Sequence, residues 1–204
     1  LFDCIEFNDA IATIDVLYDL SFLLMDLWHR DLPAGANLIM NRYLDQAEEE
    51  DGFTLLPFFM AVRAAVRAHV TATQIEEGSA QSAALGVSAR SYFKLARDLL
   101  EIRSANLVAI GGFSGSGKTT VAEALAPSIG TPPGARIIES DRVRKAMFGV
   151  SPGTRLAMSA YRSEVSAQVY GHILERSQRI LRDGGDVVAA AVFDRADCRK
   201  DIEK

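Results

Sequence analysis

The sequence predicts an all-α domain followed by an α/β domain whose parallel sheet carries helices on both faces. Apolar residues recur at three- and four-residue steps through most of the first hundred residues, which is the period of packed helices. The period changes at Asn106, where the continuous apolar run 107–110 is typical of a buried parallel strand. Strands then alternate with helices, which indicates a parallel sheet covered on both sides. We therefore expect a boundary at 103–105 and domains at 1–104 and 105–204.

Composition and charge limit the possible functions. Of the 204 residues, 49% are hydrophobic and 24% are charged, which is typical of a globular protein and excludes disordered and fibrous classes. The first domain carries 16 acidic and 8 basic residues, whereas the second carries 11 acidic and 14 basic ones. The second domain is therefore the better candidate for an anionic ligand. Its basic residues are dispersed and form no patch with aromatic residues, so we expect no nucleic-acid partner.

The first domain is predicted to contain four helices, over 11–28, 37–47, 53–75 and 82–102. Pro33 and Gly35 are predicted to end the first of them. The acidic run 48–52 is predicted to be a solvated turn.

The second domain is predicted to contain three strands, over 107–110, 136–139 and 187–193. Helices are predicted over 118–126, 141–148 and 158–182, and another that begins after the third strand and contains Lys204. Because the chain begins with Leu1 and ends inside a predicted helix, we expect a fragment at both ends.

A phosphate-binding motif follows the first strand. Residues 112–119, GFSGSGKT, match G-x-x-x-x-G-K-[ST] at every fixed position, with a strand before and a helix after. In this motif, backbone N–H groups surround the phosphates, the lysine reaches the β- and γ-phosphates, and the hydroxyl binds Mg²⁺. Lys118 and Thr119 take those roles here. The nucleotide-binding residues are predicted to be Gly112, Phe113, Ser114, Gly115, Ser116, Gly117, Lys118, Thr119 and Thr120.

Polar residues also end the second strand, where Glu139 and Asp141 lie two positions apart. In a strand this spacing places both carboxylates on the side of the crevice where ligands bind in parallel sheets. Asp141 is a candidate catalytic residue that accepts the proton of an attacking hydroxyl, or alternatively the N-cap of the next helix. Glu139 is a candidate magnesium ligand, directly or through water. Arg142 and Arg144 are candidates to bind an anionic substrate.

On these motifs the second domain resembles the small P-loop kinases of the AAA_33/zeta-toxin-like group. The resemblance rests on the phosphate loop, on Ser140-Asp141-x-x-Arg144-Lys145 and on Gly185-x-Val187-Val188. It implies that Asp141 serves the acceptor hydroxyl and that an arginine-bearing lid lies beyond Lys204. Relatives often carry an Asp in the third strand, where this chain has Ala189-Ala190-Ala191. Asp194 replaces it only if the end of the strand curls back.

The first domain resembles the C-terminal lobe of aminoglycoside-phosphotransferase-like kinases, in proteins that fuse such a lobe to a P-loop kinase. The resemblance rests on the order of residues in 3–8, on Asp15-x-x-x-Asp19 with the apolar residues that follow, and on Ala61-Val-Arg63-Ala-x-Val-Arg67. It implies that Asp3 binds Mg²⁺, that Asp19 braces a catalytic loop, and that this loop lies upstream of Leu1.

A protein-kinase catalytic loop is not predicted at His29-Arg30-Asp31-Leu32. In that motif the asparagine falls at the seventh residue after the histidine, which is Ala36 here, and Asn37 comes one position late. We predict that this segment is simply the end of a helix.

No membrane segment is predicted, because 16–28 is too short to cross a bilayer and residues 1–25 lack a basic leader. The two cysteines, Cys4 and Cys198, fit no metal or redox spacing, which favours a reducing, cytoplasmic location. The oligomeric state is not predicted.

The leading hypothesis is an ATP-dependent phosphotransferase that uses ATP and Mg²⁺ and transfers the γ-phosphoryl group to a small hydroxylated acceptor. A nucleotide-binding switch or ATPase that controls the helical domain is the alternative, favoured by the missing carboxylate at Ala189–Ala191. A third hypothesis, a toxin-like kinase of a nucleotide sugar, differs from the first only in its substrate.

Overall fold

The structure is a computed structural model that describes residues 14–47, 50–76 and 82–202. The helices of its first half are α1 (Val16–His29), α2 (Pro33–Gln46), α3 (Leu56–Glu76) and α4 (Ser82–Asp98), with a 3₁₀ helix at Glu50–Leu55. The elements of its second half are β1 (Leu107–Ile110), α5 (Lys118–Leu125), β2 (Arg136–Glu139), α6 (Ser140–Met147), α7 (Ser163–Arg182), β3 (Val187–Ala190) and α8 (Ala196–Ile202). Short 3₁₀ helices occupy Ala126–Ser128 and Met158–Tyr161.

Several predicted boundaries differ from the structure for local reasons. Pro33 begins α2 instead of ending α1, because proline has the backbone φ of a helix and its missing N–H is not needed in the first turn. Asp15 caps α1, since its carboxylate accepts hydrogen bonds from the backbone N–H groups of Leu17 and Tyr18. The predicted helix over 158–182 is interrupted at Arg162, whose backbone is extended.

The described residues divide into two compact units that differ from the predicted domains in the assignment of residues 33–54 and in the boundary, which falls after Glu101 and not after residue 104. The helical unit takes its members from Leu1–Leu32 and Leu55–Glu101, and the P-loop unit from Pro33–Thr54 and Ile102–Lys204. The prediction assigned residues 33–54 to the helical domain, whereas their contacts are with the sheet-containing part of the chain. Sequence periodicity identifies α2 as a helix but does not indicate which domain it joins.

The helical unit packs α3 against both α1 and α4. Its core includes Leu24 and Met25 of α1 and Met60 of α3, all fully buried. Tyr18 contacts Phe59 edge to face, with 5.5 Å between the ring centroids, and the Arg63 guanidinium lies 4.0 Å from the centroid of the Tyr18 ring. The unit is thus an all-α assembly, as the sequence predicts.

The segment 29–32 is the end of a helix, which confirms that prediction. Helix α1 ends at His29, and Asp31 has a left-handed backbone with φ of 61°. The His29 ring stacks on Tyr92 with 3.7 Å between the centroids, and its Nε2 lies 2.8 Å from Ser91 Oγ. Burial in this packing lowers the pKa of His29 below its usual value.

The P-loop unit contains a parallel three-stranded sheet in the order β1-β3-β2. Leu107 pairs with Val187 on one side of β3, and Arg136 pairs with Val187 on the other side. Val188 and Ala190 pack with Ala122 of α5 in one hydrophobic cluster. Because side chains alternate along a strand, Val187 and Ala189 point to the opposite face, where α7 also contacts β3. Helices therefore cover both faces, as predicted.

Side-chain amides join α2 to this sheet. The Asn37 amide donates to the carbonyl oxygens of Pro133 and Ala135 at 3.0 and 3.1 Å. Asn41 Oδ1 accepts the backbone N–H of Ile137 at 2.8 Å. Both asparagines are buried, so these bonds satisfy polar groups that would otherwise be desolvated without partners. Helix α2 is therefore an integral part of the P-loop unit.

The prediction of a solvated acidic turn at 48–52 is wrong at Glu50. This carboxylate accepts hydrogen bonds from Arg136 Nε at 2.9 Å and from Arg176 Nε at 2.7 Å. Arg136 is 1% exposed and also donates to Asp45 Oδ1 at 2.7 Å. We call this group of ion-paired side chains the Glu50 cluster; its members are Asp45, Glu50, Arg136, Arg176 and Arg179. Glu48 and Glu49 lie outside the described residues.

One helical stretch in the described part of the chain, Glu50–Ile75, is long and apolar enough to cross a membrane by length and composition. Core helices of globular proteins have the same properties, so length and composition alone do not assign it to a membrane. The expected absence of a membrane segment stays a prediction.

Candidate functional site

The phosphate loop connects β1 to α5, as the sequence predicts. Gly117 is the N-cap of α5 and has a left-handed backbone with φ of 85°, which glycine adopts without strain. At Gly112 a Cβ atom would lie 2.7 Å from Ser116 Oγ, so only glycine fits without a shift of that side chain. Local geometry therefore favours glycine at both fixed glycine positions of the motif.

Lys118 and Thr119 begin α5, directly after the loop. Lys118 Nζ donates to the carbonyl oxygen of Phe113 at 2.7 Å, so the lysine side chain lies back over the loop. Ser114, Gly115, Ser116, Thr119 and Thr120 are exposed, and the Phe113 side chain is 79% exposed. The loop thus presents its backbone and its lysine at an open surface, next to the N-terminus of a helix, which is an arrangement that binds phosphate groups.

The Glu139 carboxylate, at the end of β2, interacts with the hydroxyl of Thr119, the second residue of α5. It is 8% exposed, and burial raises its pKa above the usual value, while the Thr119 hydroxyl and Arg42 act in the opposite direction. Its Oε2 accepts Arg142 Nε at 2.8 Å, whereas Oε1 is buried and accepts no well-formed hydrogen bond. A buried carboxylate oxygen without a partner beside a threonine hydroxyl fits a hard cation such as Mg²⁺.

The described residues contain no group of three or more His, Cys, Asp or Glu side chains that would enclose a metal ion by themselves. This agrees with the way Mg²⁺ is usually held at phosphate sites, by one or two protein groups together with phosphate oxygens and water. Thr119 and Glu139 are the described candidates. Asp3, the third predicted metal ligand, lies outside the described residues.

Asp141 does not lie on the same strand face as Glu139, because β2 ends at Glu139 and α6 begins at Ser140. The two-residue spacing is therefore not a strand spacing, and that part of the prediction is wrong. The N-cap alternative is also wrong, since Glu139 occupies the cap position. The Asp141 carboxylate is 56% exposed and pairs with Lys145 at 2.7 Å.

A cavity of about 550 Å³ lies at the carboxyl ends of β2 and β3. Residues from α6, α7 and the segment after β3 line it, among them Ser140, Arg144, Tyr161, Tyr170, Phe193 and Asp194. The cavity adjoins the phosphate loop, because the Gly112 N–H donates to the carbonyl oxygen of Val192, another lining residue, at 3.2 Å. This is the position where open α/β sheets bind their ligands.

Arg144 is the buried cation of this cavity, at 7% exposure. Its guanidinium donates to the carbonyl oxygen of Ala160 at 2.6 Å and to Ser166 Oγ at 3.4 Å, and lies 4.9 Å from the centroid of the Tyr161 ring. Within the described residues it forms no ion pair with a carboxylate. Since a buried charge without a counter-ion is costly, Arg144 is well suited to an anionic group of a ligand.

Arg142 takes a different position from Arg144. It pairs with Glu139 at 2.8 Å and with Asp45 at 2.9 Å, and it is not among the residues that line the cavity. The two predicted substrate-binding arginines are therefore separated by the structure, and only Arg144 faces the cavity.

Phe193 and Asp194 follow β3 and are not among the predicted site residues, although Asp194 is considered above as a replacement for the missing carboxylate. Phe193 has φ of 49°, a left-handed conformation that is rare for a bulky side chain, and its backbone N–H donates to Tyr170 Oη at 3.0 Å. This turn brings Asp194 to the cavity, while Ala189–Ala191 remain buried without any carboxylate. A positive φ at phenylalanine has no sequence signal, so this part of the site is visible only in the structure.

The phosphate loop, the helix that follows it and the parallel sheet define a P-loop nucleotide-binding domain. Comparison with known families agrees, since residues 107–203 match the model of an AAA domain family, AAA_33. The match confirms the P-loop domain predicted for the second half of the chain and supports nucleotide binding.

Two relatives are similar to nearly the whole chain. The uncharacterized proteins Rv2004c of Mycobacterium tuberculosis and Mb2027c of Mycobacterium bovis are each 30% identical to it over 193 residues. The aligned region covers 92% of this chain and 37% of each relative, so the chain spans little more than a third of the length of these curated relatives. No solved structure matches significantly.

Proposed function

We propose that the P-loop unit is an ATP-dependent phosphotransferase that passes the γ-phosphoryl group of Mg·ATP to a small hydroxylated acceptor. The observation that carries this proposal is the cavity of about 550 Å³ next to the phosphate loop. An ATPase needs only the loop, the metal and a water molecule. This cavity is partly apolar and contains a buried arginine, and it gives room for an acceptor molecule beside the γ-phosphate.

On the nucleotide side, the backbone N–H groups of 112–117 bind the phosphates, and Lys118 leaves the Phe113 carbonyl to contact the β- and γ-phosphates. Thr119 and Glu139 hold Mg²⁺, which neutralises phosphate charge when it is bound. Thr119 supplies its hydroxyl oxygen, and Glu139 supplies Oε1, directly or through water.

On the acceptor side, Arg144 binds an anionic or strongly polar group of the acceptor and thereby orients its hydroxyl. The acceptor oxygen attacks the γ-phosphorus, the bond from that phosphorus to the β–γ bridging oxygen breaks, and ADP leaves. Asp141 accepts the hydroxyl proton in this proposal. Asp194 is the competing carboxylate, because it lines the cavity whereas Asp141 pairs with Lys145.

The helical unit is proposed to be the C-terminal lobe of an aminoglycoside-phosphotransferase-like kinase, fused to the P-loop unit. The motif resemblance supports this, and so does the all-α packing of α1, α3 and α4. In this proposal Asp3 binds Mg²⁺ in the full-length protein. We place the protein in the cytoplasm, where ATP is available, without a membrane or nucleic-acid partner.

A nucleotide switch is the second candidate, and the absence of a carboxylate at Ala189–Ala191 favours it. Incubation with γ-labelled ATP, Mg²⁺ and pools of small hydroxylated metabolites separates the two functions. The kinase proposal predicts label in an organic phosphate ester, and a Lys118→Ala control should form none. Label that appears only in inorganic phosphate across the pools would support the switch and contradict the kinase.

A further inference from the structure

A chain of ion pairs runs from α2 to the proposed magnesium site. Asp45 Oδ2 accepts Arg142 Nη1 at 2.9 Å, and Arg142 Nε donates to Glu139 Oε2 at 2.8 Å. Asp45 lies outside the segment 107–203 that matches the AAA domain family. A residue from α2 is therefore linked through one arginine to a carboxylate of the phosphate site.

The geometry of Arg142 determines which oxygen of Glu139 is available. Asp45 holds Nη1 and so fixes the orientation of the guanidinium, in which Nε alone donates to Glu139 Oε2 and Oε1 accepts no arginine N–H. An arginine that has only one carboxylate beside it favours a bidentate pair with both of its oxygens. Without Asp45, the guanidinium of Arg142 would be free to rotate and bring Nη2 onto Oε1.

Asp45 is itself held in place by a buried group. Its Oδ1 accepts Arg136 Nη2 at 2.7 Å, and the same arginine donates from Nη1 to Asn41 Oδ1 at 3.0 Å. Arg136 is a β2 residue inside the Glu50 cluster, so the position of Asp45 is set by the core of the unit.

We propose that Asp45 is a positioning residue for magnesium, which acts through Arg142 to keep Glu139 Oε1 available to the ion or to its bound water. This inference rests on the proposed function, because it requires that the phosphate loop binds a nucleotide with Mg²⁺. It assigns to α2, which precedes the matched domain, an effect on the affinity of the site for the metal that is transmitted through Arg142.

Mn²⁺ binding to the complex of the full chain with ADP tests the proposal without any turnover. The electron paramagnetic resonance signal of free Mn²⁺ measures the unbound ion, and ADP affinity in EDTA measures nucleotide binding without metal. Asp45→Asn is expected to lower Mn²⁺ affinity about tenfold, as loss of an outer-shell partner does, and to leave metal-free ADP affinity within about twofold. The matched control is Asp51→Asn, since Asp51 is 81% exposed and pairs only with Arg179 among the described residues.

Asp45 also contacts the buried Arg136. A second variant therefore changes Arg142, the other partner in the ion pair between Asp45 and Arg142. Arg142→Lys keeps the charge but cannot join two carboxylates as a fork, so it should also lose about tenfold in Mn²⁺ affinity. The double variant should lose no more than either single one, because both changes break the same link.

The outcomes separate this inference from the proposed function. Wild-type Mn²⁺ affinity in Asp45→Asn or in Arg142→Lys would overturn the positioning role, as would additive losses in the double variant. A wild-type chain that binds neither ADP nor its Mn²⁺ complex would overturn the proposed function and the inference with it.

Discussion

The phosphate loop and the Glu50 cluster lie in the same unit, yet they are built by different means. The loop consists of consecutive residues, uses backbone groups, and is largely exposed. The Glu50 cluster joins side chains from α2, a 3₁₀ helix, β2 and α7, and its central arginine is 1% exposed. The same unit thus contains a loop determined by local sequence and a structural cluster determined by long-range contacts.

The largest expected effect is a loss of phosphoryl transfer without a loss of stability, when the lysine of the phosphate loop is replaced. Lys118→Ala should lower phosphoryl transfer at least about a thousandfold, because the lysine charge faces the transferred group, and should leave thermal unfolding nearly unchanged. Turnover assays beside calorimetric melting curves measure both. Lys200→Ala is the control, an exposed lysine on α8. Normal transfer by Lys118→Ala would mean that the loop does not carry the activity.

In the Glu50 cluster the expected effect of a substitution is a loss of stability. Arg136→Met should lower the free energy of unfolding by about 3 to 5 kcal/mol, since it leaves Glu50 and Asp45 buried with fewer partners. Chemical denaturation measures this. Arg195→Met is the comparison, because Arg195 and Asp197 form an exposed pair and the loss should stay below about 1 kcal/mol. Equal losses in the two variants would show that burial of the arginine makes no difference.

A third prediction uses pH to sharpen the same contrast. Burial alone would raise the pKa of Glu50, but hydrogen bonds and charges from Arg176 and Arg136 lower it to about 2. Because the folded-state pKa lies below the unfolded one, near 4.3, the stability from Glu50 is present above that value and is lost as the pH falls towards 2.

Wild type should therefore exceed Glu50→Gln by about 3 kcal/mol at neutral pH, and the gap should close between pH 4.5 and about 2. Denaturation at a series of pH values measures the gap. A difference that stays constant from pH 7 to pH 2 would mean that the charge of Glu50 does not stabilise the fold.

The smallest expected effect distinguishes the two carboxylates near the cavity. Asp141→Asn should lower turnover about a hundredfold with little change in nucleotide affinity, since general-base catalysis contributes a factor of this order. Asp194→Asn should lower it by less than about tenfold if Asp194 only contacts the acceptor. The reverse ranking in steady-state kinetics would assign the proton acceptor to Asp194.

Local features of the fold and of the site could be predicted from the sequence. The strands at 107–110 and 136–139 have the predicted bounds, because each contains adjacent apolar residues and lies between clear breaks. The loop was predictable for the same reason, since its glycines and lysine are adjacent in the chain. These features depend on neighbours within a few residues.

Long-range features could not be predicted. Nothing in the run 48–52 indicates that Glu50 meets arginines 86 and 126 positions away, so its acidic composition suggested a solvated turn. Asp141 was placed beside Glu139 by a strand spacing, but the helix begins one residue earlier than predicted. The cavity likewise depends on the left-handed turn at Phe193, which no residue type in the sequence indicates.

Calorimetric titration of the full chain with a non-hydrolysable ATP analogue and Mg²⁺ tests the central claim most directly. The account predicts one bound nucleotide per chain, a marked loss of affinity in EDTA, and no binding by Lys118→Ala. Absence of binding by the wild type, or equal binding by Lys118→Ala, would contradict the claim that this phosphate loop is the nucleotide site.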